Sequence, residues 1–519
     1  QAPTAIVPST DIANALLPAV TQAPRRVLGS WLGEGAVREA REIFRNAGVP
    51  DFDTPEEAVR AFAMLRTYRQ HQEELLQTPP AHNTTRPVDM PRVRAIVDRV
   101  IGQGRELLTE PEAKELLDAA GLPVVSTRVV KAEPEQAVAA ARDIGYPVAL
   151  KILSHAISHK SDVGGVRLNI ANEPELREAC AAMLSRVREL RPDADVQGFT
   201  VQRMVKLRHA HELIIGASVD PVFGPIILFG QGGTAVEVLA DRALAMPPLN
   251  MPLALAQIER TRIAKLLHGY RDEPAADIEG IAQILMCVSQ LLADVPEIAE
   301  LDINPLLANN EGAVSLDARV RLSAQCPAGA RHFAIQPYPQ ALVETWRWND
   351  QPVTLRPIRP EDEAQHRRFL EAMDPEDIRL RVFYSRRSIE HSELARLTQI
   401  DYAREMAFIA TRTTADGGEE TLGTARATVD PDNLTAEFGV IVRSDTQGSG
   451  LGHRLMSKLI TYLRERGTQR LVGVVLRENK GMLELAQRLG FKEEANPSDP
   501  GDHNTRFVSL NLQPSPPAG

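Results

Sequence analysis

The chain has 519 residues, of which 43% are hydrophobic and 25% charged, and its formal net charge is −10. These values exclude a disordered, collagen-like or fibrous chain, because enough apolar surface is present to offset the entropy of chain ordering. At about 150 residues per domain, the length predicts about three domains. No apolar run reaches the roughly 18 residues that cross a bilayer, and the net charge creates no basic field. We therefore expect neither a membrane nor a nucleic acid as a partner.

The cysteines predict the compartment of the protein, and the first residue predicts how the chain begins. Cys180, Cys287 and Cys326 lie far apart, without the spacing of a disulfide framework or a zinc site, which predicts a reduced, cytoplasmic compartment. The chain starts with Gln1 rather than Met, and no signal peptide follows. We therefore expect the chain to begin inside a longer protein.

Residues 1–78 have the pattern of an α/β segment. A short strand is predicted around Arg26–Gly33, and a helix of amphipathic spacing follows and ends at Gly48. Thr54 precedes Pro55, which predicts the N-cap and first turn of a second helix. Residues 79–92 are polar and rich in proline, and we expect them to form a linker.

Between residues 93 and 322, helices alternate with β-rich runs that carry phosphate-binding chemistry. Lys151 ends a strand and a glycine-containing loop follows it; an ammonium group neutralises phosphate charge, and glycines let the backbone approach. Further along, Glu300, Asp302, Asn304 and Asp317 offer the carboxylate and amide oxygens that Mg²⁺ prefers. Each signal is weak by itself. Their order along the chain predicts a nucleotide site.

Residues 323–350 lack periodicity, which predicts a second linker. Residues 351–512 are predicted to form an α/β unit of common domain size, followed by a tail at residues 513–519. In this unit the apolar strand Phe438–Val442 leads into a glycine-rich turn and then a helix with leucines every four residues. Glycines between a strand and a helix start let amide groups converge where the helix dipole is positive, which favours a diphosphate. The alternative is a glycine-rich connector without a ligand.

A second apolar strand, Leu471–Leu476, then Asn479 and a helix complete the pattern. This order resembles the acetyl-CoA-binding half of the GNAT N-acetyltransferase superfamily over about residues 352–512. The resemblance implies that acetyl-CoA lies between two splayed strands, beside Val440, Ile441, Val442, Gln447, Gly448, Ser449, Gly450, Leu451, Gly452 and Asn479.

Glu437 is the candidate general base for an amine acceptor. A free lysine has a pKa of about 10.4, so a base must remove its proton at neutral pH. Glu437 interrupts an apolar strand, where burial would raise its pKa; the alternative is a half-exposed strand with Glu437 facing water. Family members with protein substrates carry a glutamate here. Ala486 stands where many members place a tyrosine acid, so a dedicated acid is in doubt.

Residues 93–322 resemble the ATP-grasp subunit of ADP-forming acyl-CoA synthetases and of succinyl-CoA synthetase. The resemblance implies that Lys151 contacts nucleotide phosphate and that Asn304 and Asp317 hold Mg²⁺. It also implies ATP contacts from the residues His159, Lys160, Gly164, Gly165 and Glu212. A histidine at the position of His159 can carry a phosphoryl group, and the alternative is a solvated loop histidine. Residues 1–78 resemble the end of the flavodoxin-like succinyl-CoA-ligase-like domain.

The fusion of a synthetase-like region with a GNAT domain resembles the bacterial Pat-type protein lysine acetyltransferases. It predicts a multidomain α/β enzyme that transfers acetyl from acetyl-CoA to a protein lysine, such as one in acetyl-CoA synthetase. The synthetase-like region then senses a nucleotide, ATP or ADP with Mg²⁺, or an acyl-CoA. The alternatives are an ADP-forming acetate–CoA ligase with a regulatory GNAT domain, and a CoA-responsive scaffold without activity. The sequence leaves the oligomeric state open, a homo-oligomer included.

Overall fold

A computed structural model describes residues 6–84, 86–154, 157, 160–233, 240–324, 333–382, 389–415, 417–494, 501 and 503–513. The chain forms two compact units, Gln1–Gln77 and Thr78–Gly519. Among the described helices, none combines the length and the apolar character needed to cross a membrane. Helices and strands are numbered below in chain order.

The first unit is a small α/β segment. Its elements are α1 (Ser9–Thr21), β1 (Gly29–Ser30), α2 (Arg38–Asn46), β2 (Asp51–Phe52) and α3 (Pro55–Leu75). Strands β1 and β2 pair in parallel. The core contains Trp31, whose ring meets Phe44 edge-on with centroids 5.2 Å apart. Thr54 and Glu57 form a capping box at the start of α3, which confirms the helix start predicted there.

The segment predicted as a linker, residues 79–92, packs against its surroundings. The side chain of Asn83 donates to the carbonyl of Leu249 at 2.7 Å. Pro79 is buried, and its carbonyl accepts a hydrogen bond from the amide of Tyr338 at 3.0 Å. Helix α4 begins at Met90, within the predicted linker. Proline and polar residues here are therefore used for contacts rather than for flexibility, which composition alone does not distinguish.

The region that follows builds two sheets. Its described elements are α4 (Met90–Gly102), α5 (Glu110–Ala119), β3 (Thr127–Val130), α6 (Pro134–Ile144), β4 (Val148–Leu153), β5 (Val166–Ile170), α7 (Glu173–Leu190), β6 (Gly198–Arg203), β7 (His211–Asp220), β8 (Gly224–Gln231), β9 (Arg242–Ala245), α8 (Met251–Glu259), α9 (Ala264–Leu267), α10 (Ile278–Asp294), β10 (Ile298–Asn309), β11 (Gly312–Ser315) and β12 (Ala318–Leu322).

The smaller of these sheets has the strand order β3-β6-β4-β5, and the larger has the order β11-β10-β7-β8-β9, with β12 also pairing β10. Helices α6 and α7 contribute to the core of the small sheet, and α10, which is almost fully buried, to that of the large one. Because β4 belongs to one sheet and β10 and β12 to the other, a cleft between the sheets can be lined from both sides.

The C-terminal region forms one eight-stranded sheet with helices packed against it. Its described elements are β13 (Glu344–Trp348), β14 (Gln351–Pro357), α11 (Glu363–Glu371), α12 (Pro375–Val382), α13 (His391–Thr398), β15 (Glu405–Thr413), β16 (Glu419–Val429), β17 (Thr435–Val442), α14 (Leu451–Glu465), β18 (Arg470–Leu476), α15 (Lys480–Arg488), β19 (Lys492–Glu494) and β20 (Thr505–Asn511). The strand order is β13-β14-β15-β16-β17-β18-β20-β19. Strand β13 lies inside the predicted linker 323–350 and adds an edge to this sheet.

Strands β17 and β18 run parallel but stay paired over only three positions. Thr435 pairs with Arg470, Ala436 with Leu471 and Glu437 with Val472, as the register of the two strands records. Beyond this point β17 continues to Val442 while pairing with β16 on its other side. The two strands therefore separate after Glu437, and the gap between them opens toward the turn that precedes α14.

Candidate functional site

The first candidate site is a cleft of about 670 Å³ between the two sheets of the ATP-grasp-like region. It is lined by the start of α5, the end of β4, the loop after β4, and residues of β10 and β12. The structure brings Lys151, Lys160 and three of the oxygen donors named from the sequence, Asp302, Asn304 and Asp317, to this cleft. It also adds Glu110, which was not predicted.

Glu110 is the centre of the charge network in the cleft. Its Oε1 accepts hydrogen bonds from Lys114 Nζ at 2.9 Å and Lys151 Nζ at 2.7 Å. Its Oε2 accepts one from Lys160 Nζ at 2.5 Å. The Glu110 side chain is only 5% exposed, so all three contacts are shielded from water. One carboxylate thus fixes three ammonium groups from a helix, a strand and a loop.

The network determines the charge state of its members. Burial alone would raise the pKa of Glu110, but the ammonium groups of Lys114, Lys151 and Lys160 outweigh it and lower that pKa well below its usual range. Burial likewise opposes the charge of Lys151, but Glu110 and Asp317 raise the pKa of Lys151 above its ordinary value. For Lys114 burial prevails and lowers the pKa. Lys151 is therefore a stable cation facing the cleft.

Lys114 connects this network to the small sheet. Its Nζ donates to Gln202 Oε1 on β6 at 2.7 Å and to Thr127 Oγ1 on β3 at 3.3 Å. In the sequence, Glu110 and Lys114 form an ordinary i,i+4 pair of the kind common on helix surfaces. Nothing in that spacing indicates burial, which is why the sequence analysis did not find Glu110.

The oxygen donors at the other wall fit a divalent cation. Burial first, and then the negative charge of Asp317, raise the pKa of Asp302, so a cation at this wall would stabilise the charged form of Asp302. The Oδ1 atom of Asn304 faces the amide of Gly233 at 3.4 Å. Among the described residues, no three His, Cys, Asp or Glu side chains form a metal cluster. A bound Mg²⁺ would thus combine these oxygens with water and phosphate.

The remaining predicted ATP contacts have other surroundings. Gly165 donates to the carbonyl of Lys160 at 2.7 Å, and a Cβ at Gly165 would lie 2.6 Å from Ile152 Cγ2, so this glycine is required for the turn back into β5. Gly164, at φ +67°, shares that turn. Glu212 is exposed on β7 and does not belong to the described lining of the cleft. His159 lies outside the described residues.

The second candidate site is the glycine-rich turn before α14. Gly448 and Gly450 have positive φ angles of +76° and +84°, conformations that side-chain-bearing residues rarely adopt. Gly450 is the N-cap of α14 and no side chain caps the helix. The first amides of α14 therefore keep their donors free at the positive end of its dipole, as an anion site requires. Gln447 and Ser449 are exposed beside them.

Strand β13 holds this turn in place. The indole Nε1 of Trp348 donates to the carbonyl of Ser449 at 3.3 Å. Glu344 forms ion pairs with Arg454 at 2.9 Å and Lys458 at 3.2 Å, both on α14. The edge strand added from the predicted linker thus orients the helix whose first turn carries the free amides.

The gap between β17 and β18 leads to this turn. Val440, Ile441 and Val442 pair with β16 on one side. On their other side the backbone faces the gap, because the pairing with β18 ends at Glu437. Asn479 caps α15, its Oδ1 accepting from the amide of Met482 at 3.0 Å. The Glu437 side chain is exposed, which is the second of the two alternatives considered for it.

Comparison with known proteins identifies the two regions that contain the candidate sites. An ATP-grasp domain model matches residues 99–322, and the acetyltransferase (GNAT) family model matches residues 373–491. The chain is therefore an ATP-grasp protein fused to a GNAT domain. It is 41% identical over 231 residues, 44% of this chain and 98% of the relative, to the β subunit of ADP-forming acetate–CoA ligase I of Pyrococcus furiosus. The chain belongs to this ATP-grasp family of ADP-forming acetate–CoA ligases.

Two further similarities complete the comparison. An acetyltransferase of Pseudomonas aeruginosa is 31% identical over 147 residues, covering 28% of this chain and 78% of that protein. A solved structure of dinucleotide-forming acetyl-coenzyme A synthetase 1 from Ca. Korarchaeum cryptofilum matches with 38% identity and a TM-score of 0.43, covering 44% of this chain and 99% of that one. The chain spans about two fifths (42%) of the single-chain ADP-forming ligases that it also matches.

Replacing Glu110 with glutamine should destabilise the protein by about 3 kcal/mol, because Lys114 and Lys151 lose their buried counter-charge. Urea unfolding at pH 7 measures this. The control is Glu115→Gln on the same helix, which removes two longer ion pairs at the surface and should cost less than about 1 kcal/mol. Equal stability of the two variants would contradict the role assigned to Glu110.

The wild type and Glu110→Gln can also be compared as a function of pH. A carboxyl whose pKa is lowered on folding stabilises fully above its unfolded pKa of about 4.3 and loses that contribution as the pH falls toward the lower folded value. The stability difference between wild type and Glu110→Gln should therefore shrink below about pH 4. A difference that grows on acidification would reverse the sign assigned here.

The GNAT resemblance implies acetyl-CoA as the ligand of this turn. On that expectation, Gly450→Ala should weaken acetyl-CoA binding at least about tenfold, since the turn could no longer direct its amides at a diphosphate. Gly467→Ala is a matched control: it has a φ of +79° at the other end of α14, and open space around its Cβ position, as Gly450 does. Both variants incur the same backbone strain, about 1 kcal/mol. Calorimetric titration with acetyl-CoA should separate them, and equal affinities would remove the turn from the site.

Proposed function

We propose that the ATP-grasp region serves an ADP-forming acyl-CoA ligase, in which acyl-CoA, ADP and phosphate give the free acid, CoA and ATP. The observation that carries this proposal is the cleft where Lys151 and Lys160 face Asn304 and Asp317. Similarity to a ligase β subunit over 98% of its length supports it further. The chain matches only part of the single-chain ligases, so the complete reaction is proposed for the whole protein.

The residues of the cleft suit phosphoryl chemistry. Lys151 stays charged through Glu110 and Asp317, and Lys160, which is more exposed, reaches the cleft from the loop. Both can donate to phosphate oxygens without a large rearrangement, because Glu110 already fixes their ammonium groups. Asn304 and Asp317, with Asp302 beside them, would hold Mg²⁺, which neutralises phosphate charge when bound. That His159 carries the phosphoryl group stays a prediction.

A second activity, acetyl transfer to a protein lysine, is favoured by the GNAT domain. The supporting observation is the early end of β17–β18 pairing, which leaves a gap leading to the free amides of α14. The acceptor amine attacks the thioester carbonyl, the C–N bond forms, the C–S bond breaks, and CoA leaves as thiolate. Glu437 takes the amine proton, directly or through water. Its exposure allows a lysine on a folded protein to approach.

The two activities do not have equal support. The ligase function rests on relatives of known activity and on an assembled cleft, whereas the lysine acceptor rests on the resemblance to Pat-type enzymes and on the position of Glu437. The two sites also share a structural element, because the segment after Gln77 bonds to Leu249 in one region and to Tyr338 in the other. We therefore propose that nucleotide binding in the cleft modulates the transferase.

The ligase proposal predicts phosphate-dependent CoA release from acetyl-CoA in the presence of ADP and Mg²⁺, followed spectrophotometrically. Lys151→Met should raise the KM for ADP at least about tenfold, since a charged hydrogen bond contributes about 1.5–3 kcal/mol. Lys265→Met, at an exposed position outside the cleft, is the control. If calorimetry shows that Lys151→Met binds ADP as tightly as the wild type does, the cleft does not hold the nucleotide through Lys151 and the ligase proposal fails.

The transferase proposal predicts that labelled acetyl-CoA modifies lysines of cell-extract proteins, mapped by mass spectrometry. Glu437→Gln should lower kcat about 100-fold without changing the KM for acetyl-CoA, because only proton removal is lost. Glu484→Gln, on the exposed face of α15, is the control. Undiminished acetylation by Glu437→Gln would show that the base is another group, and no acetylation by the wild type would favour the scaffold. Adding ADP and Mg²⁺ to the same assay tests the proposed coupling.

A further inference from the structure

The gap between β17 and β18 ends where the pairing of the two strands begins, and one aromatic ring lies next to this closed end. The two strands separate at Phe438, which would next pair with Gly473. A Cβ built on Gly473 would lie 2.5 Å from Phe438 Cε1 and 2.8 Å from Cζ. The ring of Phe438 therefore fills the space that a side chain at position 473 would need.

The ring is fixed on a second side as well. Phe438 meets Phe491 with centroids 5.2 Å apart and planes at 60°. Only 8% of Phe438 is exposed. The ring of Phe438 is packed between Gly473 and Phe491, and its rotation would displace packed atoms. The ring therefore forms a rigid wall beside the gap.

The position of this wall relates it to the thioester. The free amides that suit a diphosphate lie beyond the open end of the gap, at Gly450 and the first residues of α14. From Phe438 to Val442 the strand rises about 3.3 Å per residue, or about 13 Å in all. A linear pantetheine arm that starts at the diphosphate and runs along the gap points its acyl group toward the closed end.

We propose that Phe438, held by Gly473, sets the depth of the acyl site and restricts the donor to acyl-CoAs with short, unbranched acyl groups such as acetyl and propionyl. This proposal rests on the transferase function proposed above. It names a specificity-determining residue: each further methylene of a longer acyl chain meets the ring rather than open space. A well-fitted apolar pocket discriminates about 10- to 200-fold per methylene, which is the range expected here.

The experiment measures binding, which needs no acceptor. Acetyl-, butyryl- and hexanoyl-CoA are titrated calorimetrically into the full chain as wild type, Phe438→Leu and Phe438→Ala. Truncating the ring should improve the affinity for hexanoyl-CoA relative to acetyl-CoA at least about tenfold. The smaller change, Phe438→Leu, carries the test if Phe438→Ala does not fold.

Phe408→Leu is the matched control, because Phe408 is fully buried in the same sheet but lies on β15, two strands from the gap. The ratio of the affinity for hexanoyl-CoA to that for acetyl-CoA should be the same in Phe408→Leu as in the wild type. An unchanged ratio in Phe438→Leu, with acetyl-CoA affinity retained, would overturn the proposal. A shift in the ratio of equal size in both variants would also overturn it, since general loosening of the core would then explain the effect. Failure of lysine acetylation alone would leave this measurement, and so this inference, standing.

Discussion

The carboxylate of Glu110 accepts hydrogen bonds from Lys114, Lys151 and Lys160, and the cleft depends on this arrangement. Without the Glu110 carboxylate, the three ammonium groups would repel one another in a buried space, and each would have lost its solvation without compensation. With it, Lys151 remains charged while buried, and the loop that carries Lys160 is joined to the start of α5. Lys151 and Lys160 are the residues predicted to bind phosphate. Their charge and position are maintained by Glu110, a helix residue that does not itself resemble a phosphate ligand.

Local chemistry was predictable from the sequence, whereas contacts between distant segments were not. The glycine turn before α14 and the capping box at Thr54 follow from backbone geometry that a few adjacent residues determine. The direct partners of Glu110 lie up to 50 positions away, and the ion pair of Lys151 with Asp317 spans 166 positions. Read along the chain, these residues look like surface charges. Strand β13 was missed for a related reason: an edge strand needs only one partner, so its pattern is weak.

The two predicted linkers show that a proline-rich composition does not by itself indicate flexibility. Both are rich in proline and lack periodicity, and both nevertheless contribute ordered structure: Pro79 and Asn83 in the first, and β13 in the second. Proline removes conformational freedom as well as a hydrogen-bond donor, so a proline-rich stretch is as compatible with a fixed extended path as with a mobile one. In this protein the fixed path connects the ATP-grasp core to the GNAT sheet through Tyr338.

The bond between Trp348 and the carbonyl of Ser449 has a practical consequence. The sequence contains three tryptophans, and Trp348 is the one whose indole bonds directly to the turn before α14. Indole fluorescence depends on the polarity and charge near the ring, so an anion that binds at that turn should change the emission of Trp348. Trp348 thus provides an intrinsic fluorescent probe of this turn, and no attached dye is needed.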